Sequence, residues 1–373
     1  MTPSLFLLFI ILSTASLVYL HRKSSLLQNI PLILLLYLSF MIVGNLNLWD
    51  ATNSAIISIQ KISVNNLLPA MIFLMMLGFN IRLFQALGSK LLIAFFATTF
   101  SLLIAFVTIF YLFEPLLWED ANLSFATLSG SWSGGSINMI AIGKIINISE
   151  AEMANVIVVD SVVYTLWVMF LLLLVPFAQK FNHFTKSSIK EMNLEISCAL
   201  TYDIKAYIRI IIMSIAVAFI VNLISYLLPE KSFLSPTFYA VVLATIIGIL
   251  ASRTPLKELP AQGVANSMLY LIIAMIASKA YISELSTTLI FFACAVSIII
   301  LHALLMILFA KLFKLDLFSI AVASLAHIGG TAGATILASA YHKNMIPVAV
   351  VMATGGYLIG TFLGLLIAYL LGV

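Results

Sequence analysis

The chain has 373 residues, of which 63% are hydrophobic and only 9% charged, with a formal net charge of +4. A soluble globular chain is about half apolar and about a quarter charged, and one with so few charges would expose patches large enough to aggregate. Composition therefore excludes a soluble fold and, with no basic patch, a nucleic-acid partner. It points to an all-α polytopic protein whose solvent is the lipid bilayer.

The two cysteines, Cys198 and Cys294, lie far apart, and no HExxH, CxxC or histidine cluster occurs. No disulfide framework, metal set or cofactor is expected. His302, His327 and His342 lack the spacing of a nucleophile–base pair, so an enzyme is not expected either.

A membrane-crossing helix needs about 20 mostly apolar residues. In chain order, residues 3–20 form the first such segment. They lack a basic n-region, and Arg22 and Lys23 follow the apolar run. That order predicts a retained first helix with its N-terminus outside the cell. Further spans are predicted at 30–44, 66–80, 91–113, 153–178, 205–228, 236–250, 264–282, 288–313 and 346–371. The stretch 46–65, with Asp50, Asn53, Lys61 and Asn65, reads as a loop or interfacial segment.

Two more stretches, 121–146 and 317–341, have membrane length but are interrupted by glycines and polar residues. The expectation is thus about 10–12 transmembrane helices. A polar linker over 179–204, with Lys180, Lys186, Lys190, Glu191 and Glu195, separates an N-terminal half (1–178) from a C-terminal half (205–373).

The interrupted stretches look like copies of each other. One constant offset places Ala126, Ser129, Gly134 and Gly135 on Ala321, Ser324, Gly329 and Gly330, and Ser136 on Thr331. An offset larger by two pairs Leu92, Ile93 and Phe95 with Leu289, Ile290 and Phe292, and Met71 with Met268. The nearly constant offset with a repeated Gly-Gly predicts an internal duplication. Six elements per half would make the copies parallel. The charges favour inversion instead: Arg82 and Lys90 fit a cytoplasmic loop, and Arg253, Lys257, Lys311 and Lys314 do so only if the second half is turned over.

Glycine costs about 1 kcal/mol relative to alanine inside a helix, and unpaired backbone in hydrocarbon costs several kcal/mol per group. Gly134-Gly135 and Gly329-Gly330 therefore mark breaks, one discontinuous helix per half. Ser136 and Thr331 are expected to cap the helices that restart there. Such N-termini suit an anion. The substrate-binding set expected is Ser133, Gly134, Gly135, Ser136, Asn138, His327, Gly329, Gly330, Thr331 and Thr335. Ser131, Asn138 and Asp160 are the expected cation-binding set, Asp160 because a carboxylate inside an apolar span marks an ion pathway by default. His302 reads as a packing or interhelical hydrogen-bonding residue. Gly356, Gly360 and Gly364, at four-residue spacing, form a flat face expected to pack on 317–341.

The stretches SGSWSGGSINMIAIG, DSVVYTLW, AHIGGTAGATILASAYHK and IPVAVVMATGGYLIGTFLG resemble the YjcL-like integral membrane proteins, a family of unknown function. That resemblance implies the cation–proton antiporter and anion transporter superfamily, inverted repeats, two crossing discontinuous helices, and a core domain moving against a panel domain. It implies no substrate. The adjacent Asp pair of some sodium–proton antiporters is missing here, since Ser161 follows Asp160.

The function expected is a secondary active transporter of the inner membrane, coupling uptake of a small organic anion to Na⁺ or H⁺. A carboxylate, an amino acid or a short peptide would serve as cargo, and a homodimer is the assembly considered. The alternative is a monovalent cation–proton antiporter using Asp160.

Overall fold

The computed structural model describes all residues except 1, 29, 47, 50–52, 188–202, 231–233, 280–287 and 342–344. The described residues form α-helices joined by turns. In chain order the first are α1 (Pro3–Lys23), α2 (Ser25–Gln28), α3 (Leu32–Asn45), α4 (Ser54–Leu77), α5 (Ile81–Gln85) and α6 (Gly88–Phe113). There follow α7 (Ala121–Gly134), α8 (Ser136–Ile145), α9 (Glu150–Leu174), α10 (Ala178–Thr185), α11 (Ile204–Ser225) and α12 (Pro236–Ala251). The last are α13 (Ala261–Ala277), α14 (Thr288–Phe313), α15 (Leu317–Ile328), α16 (Gly330–Tyr341) and α17 (Ile346–Leu370).

Local chemistry sets several starts. Thr2 accepts from the Leu5 N–H ahead of Pro3, and Ser235 accepts from the Phe238 N–H ahead of Pro236. In both, a hydroxyl cap precedes a proline at the first helical position, the arrangement that satisfies orphan donors at a helix start. Asp316 caps α15 by accepting from the Ser319 N–H at 2.9 Å and its hydroxyl at 2.7 Å.

Among the described residues, seven helices are long and apolar enough to cross a membrane: α1, α4, α6, α9, α11, α14 and α17. Their outward faces are apolar as well. On α11, Ile208, Ile212, Ile215, Phe219 and Leu223 share one exposed face. Hydrocarbon tails, not water, solvate such a face. The protein is a multi-pass membrane protein. The predicted spans at 30–44, 236–250 and 264–282 form the shorter helices α3, α12 and α13, of 14, 16 and 17 residues.

The expected loop over 46–65 is corrected. From Ser54 onward it is the first part of α4, while Asp50 lies outside the described residues. Asn53 accepts from the Ala55 N–H at 2.9 Å at the start of this helix, and buried Gln60 donates to Ser278 Oγ at 2.9 Å. Of the expected linker over 179–204, residues 188–202 and with them Cys198 lie outside the described residues, whereas its first part is α10.

Contacts divide the chain into two units, each drawing on both sides of that linker. The first comprises Met1–Leu77, Asn147–Ser161 and Tyr202–Thr288. Within it α4 packs on α11, α12 and α13, and α13 packs in turn on α3 and α1. The second comprises Gly78–Ile146, Val162–Thr201 and Leu289–Val373, with α17 at its centre against α6, α7, α8, α15 and α16.

In the second unit the two Gly-Gly breaks reverse the chain. Phe318 at the start of α15 and Tyr341 at the end of α16 meet edge to face with ring centroids 5.3 Å apart. Along one straight helix they would be about 35 Å apart. Similarly, a Cβ on Gly130 of α7 would lie 3.0 Å from the Asn138 carbonyl oxygen and against the Ile142 side chain of α8. Collinear helices would put Asn138 about 12 Å farther along the axis. These are helical hairpins, and the expectation of crossing, membrane-length discontinuous helices is corrected. The arms have 14 and 10, and 12 and 12 residues, hence about 15–21 Å each, short of a hydrocarbon core about 30 Å thick.

The hairpins come from opposite ends of this unit. Helices α6 and α14 run antiparallel, joined by Ser101–His302 and Thr98–Met306 contacts. The start of α7 meets the end of α6 through Phe110 and Phe125, 5.2 Å between rings. The start of α15 directly follows the end of α14.

Candidate functional site

The hairpin tips meet at one side chain, Tyr357, near the middle of α17. A Cβ on Gly135 would lie 3.3 Å from its ring, and one on Gly330 would lie 2.8 Å from its hydroxyl. The first tip turns at Gly135, whose φ of 81° and ψ of 172° fall in a region open essentially to glycine alone. Its N–H closes α7 by donating to the Ser131 carbonyl at 2.7 Å.

Asn138 then ties this tip down. Its Nδ2 donates to the carbonyls of Gly134 at 3.0 Å and Tyr357 at 3.1 Å, and its Oδ1 accepts from the Thr361 hydroxyl at 2.6 Å. Both amide protons are thus spent on the turn and on α17. The small-residue face of α17 makes this possible. Gly360 abuts Asn138 and Gly134, while Gly364 abuts Ile142 and Gly130. The face expected to pack on 317–341 packs mainly on 121–146 instead, and only Gly356 reaches α15, at the Ala326 carbonyl. The reason is geometric: the first hairpin folds back, so both of its arms need the same flat surface.

The second tip is held more lightly. Gly330 has a φ of 57°, and the next N–H, of Thr331, donates to Tyr357 Oη at 3.1 Å. The Thr331 hydroxyl lies 3.1 Å from the same atom. Thr331 therefore does not cap α16 through its side chain, and Ser136 does not cap α8. Helix α8 starts at Ser136 with Gly135 as its cap residue and no side-chain cap bond, and α16 starts at Gly330. A tyrosine hydroxyl supplied by α17 takes the capping role at the second tip. Tyr164 lies over that tip as well, its ring against Gly329 and its Oη 2.8 Å from where a Gly333 Cβ would sit.

The remaining predicted residues fall as follows. Ser131 and Ser133 are buried, and Ser133 donates to the Ser129 carbonyl at 2.6 Å. Ser136, Gly329, Thr331 and Thr335 are half-buried, and Thr335 donates to the Ala332 carbonyl at 3.1 Å. His327 is fully buried, with Nδ1 3.0 Å from the Ala323 carbonyl and Nε2 2.9 Å from Thr99 Oγ1. Since a carbonyl can only accept, Nδ1 carries a proton. All these residues belong to the second unit. Asp160 belongs to the first, where it is buried on α9.

His302 makes the interhelical hydrogen bonds expected of it. Trp167 Nε1 donates to Ser324 Oγ at 3.0 Å, Ser324 Oγ lies 2.9 Å from His302 Nε2, and His302 Nδ1 lies 2.7 Å from Ser101 Oγ. Ser101 donates onward to the Thr98 carbonyl at 2.8 Å. Every donor finds an acceptor if the chain runs from indole to carbonyl, with the His302 proton on Nδ1. This network joins α9, α15, α14 and α6 and leaves no buried polar atom of its own unpaired. It is scaffold.

The residues that sequence reasoning left out of the site are Tyr357, Tyr164 and Thr361. The available signal was position: Tyr357 and Thr361 sit on the glycine-rich face of the last span, and Tyr164 follows one helical turn after Asp160. Chemically, the tips present two helix N-termini, backbone carbonyls and hydroxyls around one phenol. Such a set suits a small anion at the N–H groups and a hard cation at the oxygens.

Over residues 8–372 the sequence matches the family model described as Protein of unknown function (DUF819), and the chain belongs to that family. A search of curated proteins found no match.

Proposed function

We propose that this DUF819-family membrane protein is a secondary active transporter of the inner membrane, and that the two hairpin tips around Tyr357 form its substrate site. One observation carries the reading: two re-entrant hairpins come from opposite ends of one unit and meet halfway. Non-helical backbone at membrane depth survives only where protein or a water-filled cavity receives it, and paired repeats with broken helices place transporter sites at their meeting point. No enzymatic role is needed to account for these residues.

On this reading the first turns of α8 and α16 leave N–H groups free of intrahelical acceptors, and these hold a small organic anion, a carboxylate, amino acid or short peptide. The Thr331, Thr335 and Ser136 hydroxyls orient it. Na⁺ or H⁺ supplies the driving force. Asn138 is a positioning residue, because its amide is engaged in holding the tip.

Topology supports an inverted duplication. A hairpin crosses nothing, so α1, α3, α4, α6 and α9 give the first half five crossings, and α11, α12, α13, α14 and α17 give the second half five. An odd number turns the second half over, which brings Lys311 and Lys314 to the same side as Arg82 and Lys90. The unit with both hairpins then plays the core and the other the panel of the superfamily to which the YjcL-like resemblance pointed.

The test is a thermal-shift screen of the purified protein against organic anions, with and without Na⁺. Stabilisation by an anion that Tyr357→Phe or Thr331→Val weakens supports the site. A second reading rests on Asp160, a buried intramembrane carboxylate. If no organic anion binds, and vesicles exchange Na⁺ or K⁺ for protons in a manner that Asp160→Asn abolishes, the protein is an antiporter and the first reading fails.

A further inference from the structure

A cleft of about 430 Å³ runs between α1 and α13, wholly inside the first unit. Ile11, Val18 and Leu271 give it apolar walls, and Arg22 lies at the end of α1 that is richest in positive charge. Asn266 and Tyr270 line it too. An apolar trough that ends in a guanidinium suits an amphiphile with a negative head.

Three observations make this more than a gap in the packing. Among the described residues no carboxylate pairs with Arg22; the ion pair present in this unit is Lys279–Glu150, at 3.9 Å. Thr14 also lines the cleft, only 4% exposed, and its hydroxyl has no hydrogen-bond partner. A threonine in a helix ordinarily satisfies its hydroxyl on the preceding turn, and this one, in the wall of the cleft, does not. Finally, Gly263 faces the cleft, and a Cβ added there would meet nothing within 4 Å. Space is held open at a helical position where a larger side chain would fit and would favour the helix.

We propose that this cleft binds an anionic phospholipid taken from the bilayer. Its phosphate sits on the Arg22 guanidinium, whose planar fork matches phosphate oxygens. Its glycerol-ester oxygens face Asn266 and Tyr270. One acyl chain runs along Ile11, Val18 and Leu271. The about 16 Å of axial rise between Arg22 and Ile11 accommodates head and chain together.

The test is native mass spectrometry of the detergent-purified protein, given phosphatidylglycerol or phosphatidylcholine with identical acyl chains. Phosphatidylglycerol is expected to be retained preferentially, and Arg22→Ala to cut that preference about fivefold. Gly263→Leu, which fills the cleft, should reduce retention of both lipids while the Tm stays at or above the starting value. If Arg22→Ala fails to fold, Arg22→Gln is the second variant, with the same expected loss. Equal retention of the two lipids overturns the proposal, as does retention that Gly263→Leu leaves unchanged. A shift in oligomeric state by light scattering in Gly263→Leu, without any lipid preference, would assign the cleft to a second copy of this chain and overturn it too.

Discussion

The two hairpin tips have the same plan and are secured differently. The first is buried from Ser131 to Gly135 and is bolted to α17 by Asn138, through two hydrogen bonds to α17, a third to the Gly134 carbonyl of its own turn, and two close glycine contacts. The second exposes Gly329, Thr331 and Thr335 in part; its Thr331 N–H donates to the Tyr357 hydroxyl, and the Tyr164 ring packs over Gly329. A buried turn with all polar groups spent is built to stay. The second turn is half-exposed, and on the proposed transport reading a ligand oxygen takes the place of the phenol at the Thr331 N–H. On the proposed reading the first tip is the frame of the site and the second its gate.

Substitutions at each tip test that contrast, beginning with the largest expected effect. Gly135→Val forces a branched side chain into a glycine-only backbone region, a cost of about 1–3 kcal/mol from strain alone, with Tyr357 in the way as well. A large fall in Tm of the detergent-purified protein, or no folded protein at all, is expected. A Tm close to that of the unaltered chain would mean that the first turn is not rigid.

Asn138→Ala comes next. It leaves the Gly134 and Tyr357 carbonyls and the Thr361 hydroxyl without their partner, at about 1–3 kcal/mol for buried groups. Hydrogen exchange should rise over Gly134–Met139 and stay unchanged over Gly330–Thr335. Equal loosening of both tips would dissolve the distinction between frame and gate.

Tyr357→Phe removes only the cap of the second tip, about 0.6 kcal/mol for an interhelical hydrogen bond in a membrane protein. The Tm should barely move, while exchange at the Thr331 amide rises and that around Asn138 does not. Thr335→Ala is the smallest change. Its hydroxyl bonds only the Ala332 carbonyl on its own helix, so stability should stay within about 0.5 kcal/mol. Any large effect must then appear in ligand binding.

The halves of the site differed in how far they could be read from the chain. Gly134-Gly135 and Gly329-Gly330 announce themselves, since two glycines inside an apolar run disrupt a helix wherever it packs. The direction of the chain after each break does not show in sequence. A kink and a reversal use the same residues, and only the Phe318–Tyr341 and Gly130–Asn138 contacts separate them. Counting these stretches as crossings gives even-numbered halves that conflict with the lysine and arginine distribution; the proposed topology, which counts them as hairpins, agrees with it. The stretch 46–65 misled for a related reason. Asn53 and Lys61 look costly in a membrane helix, yet Asn53 sits at the start of α4, where its side chain accepts from the Ala55 and Ile56 N–H groups, and Lys61 is exposed. Tyr357 likewise reads as one more aromatic residue of the last span, because its role depends on where two other segments end.

By itself the sequence determined the solvent and the positions of both breaks, while of the about 10–12 transmembrane helices expected seven helices among the described residues are long and apolar enough to cross. Solvent and breaks follow from composition, segment length and backbone cost, which are local properties of the chain. The tertiary structure alone decided that the breaks are reversals, that both tips close on Tyr357, and that the last span's glycine face serves the first hairpin. Those facts rest on close approach between segments far apart in sequence, and short-range packing and hydrogen bonding leave no imprint on the order of residues within any one of them.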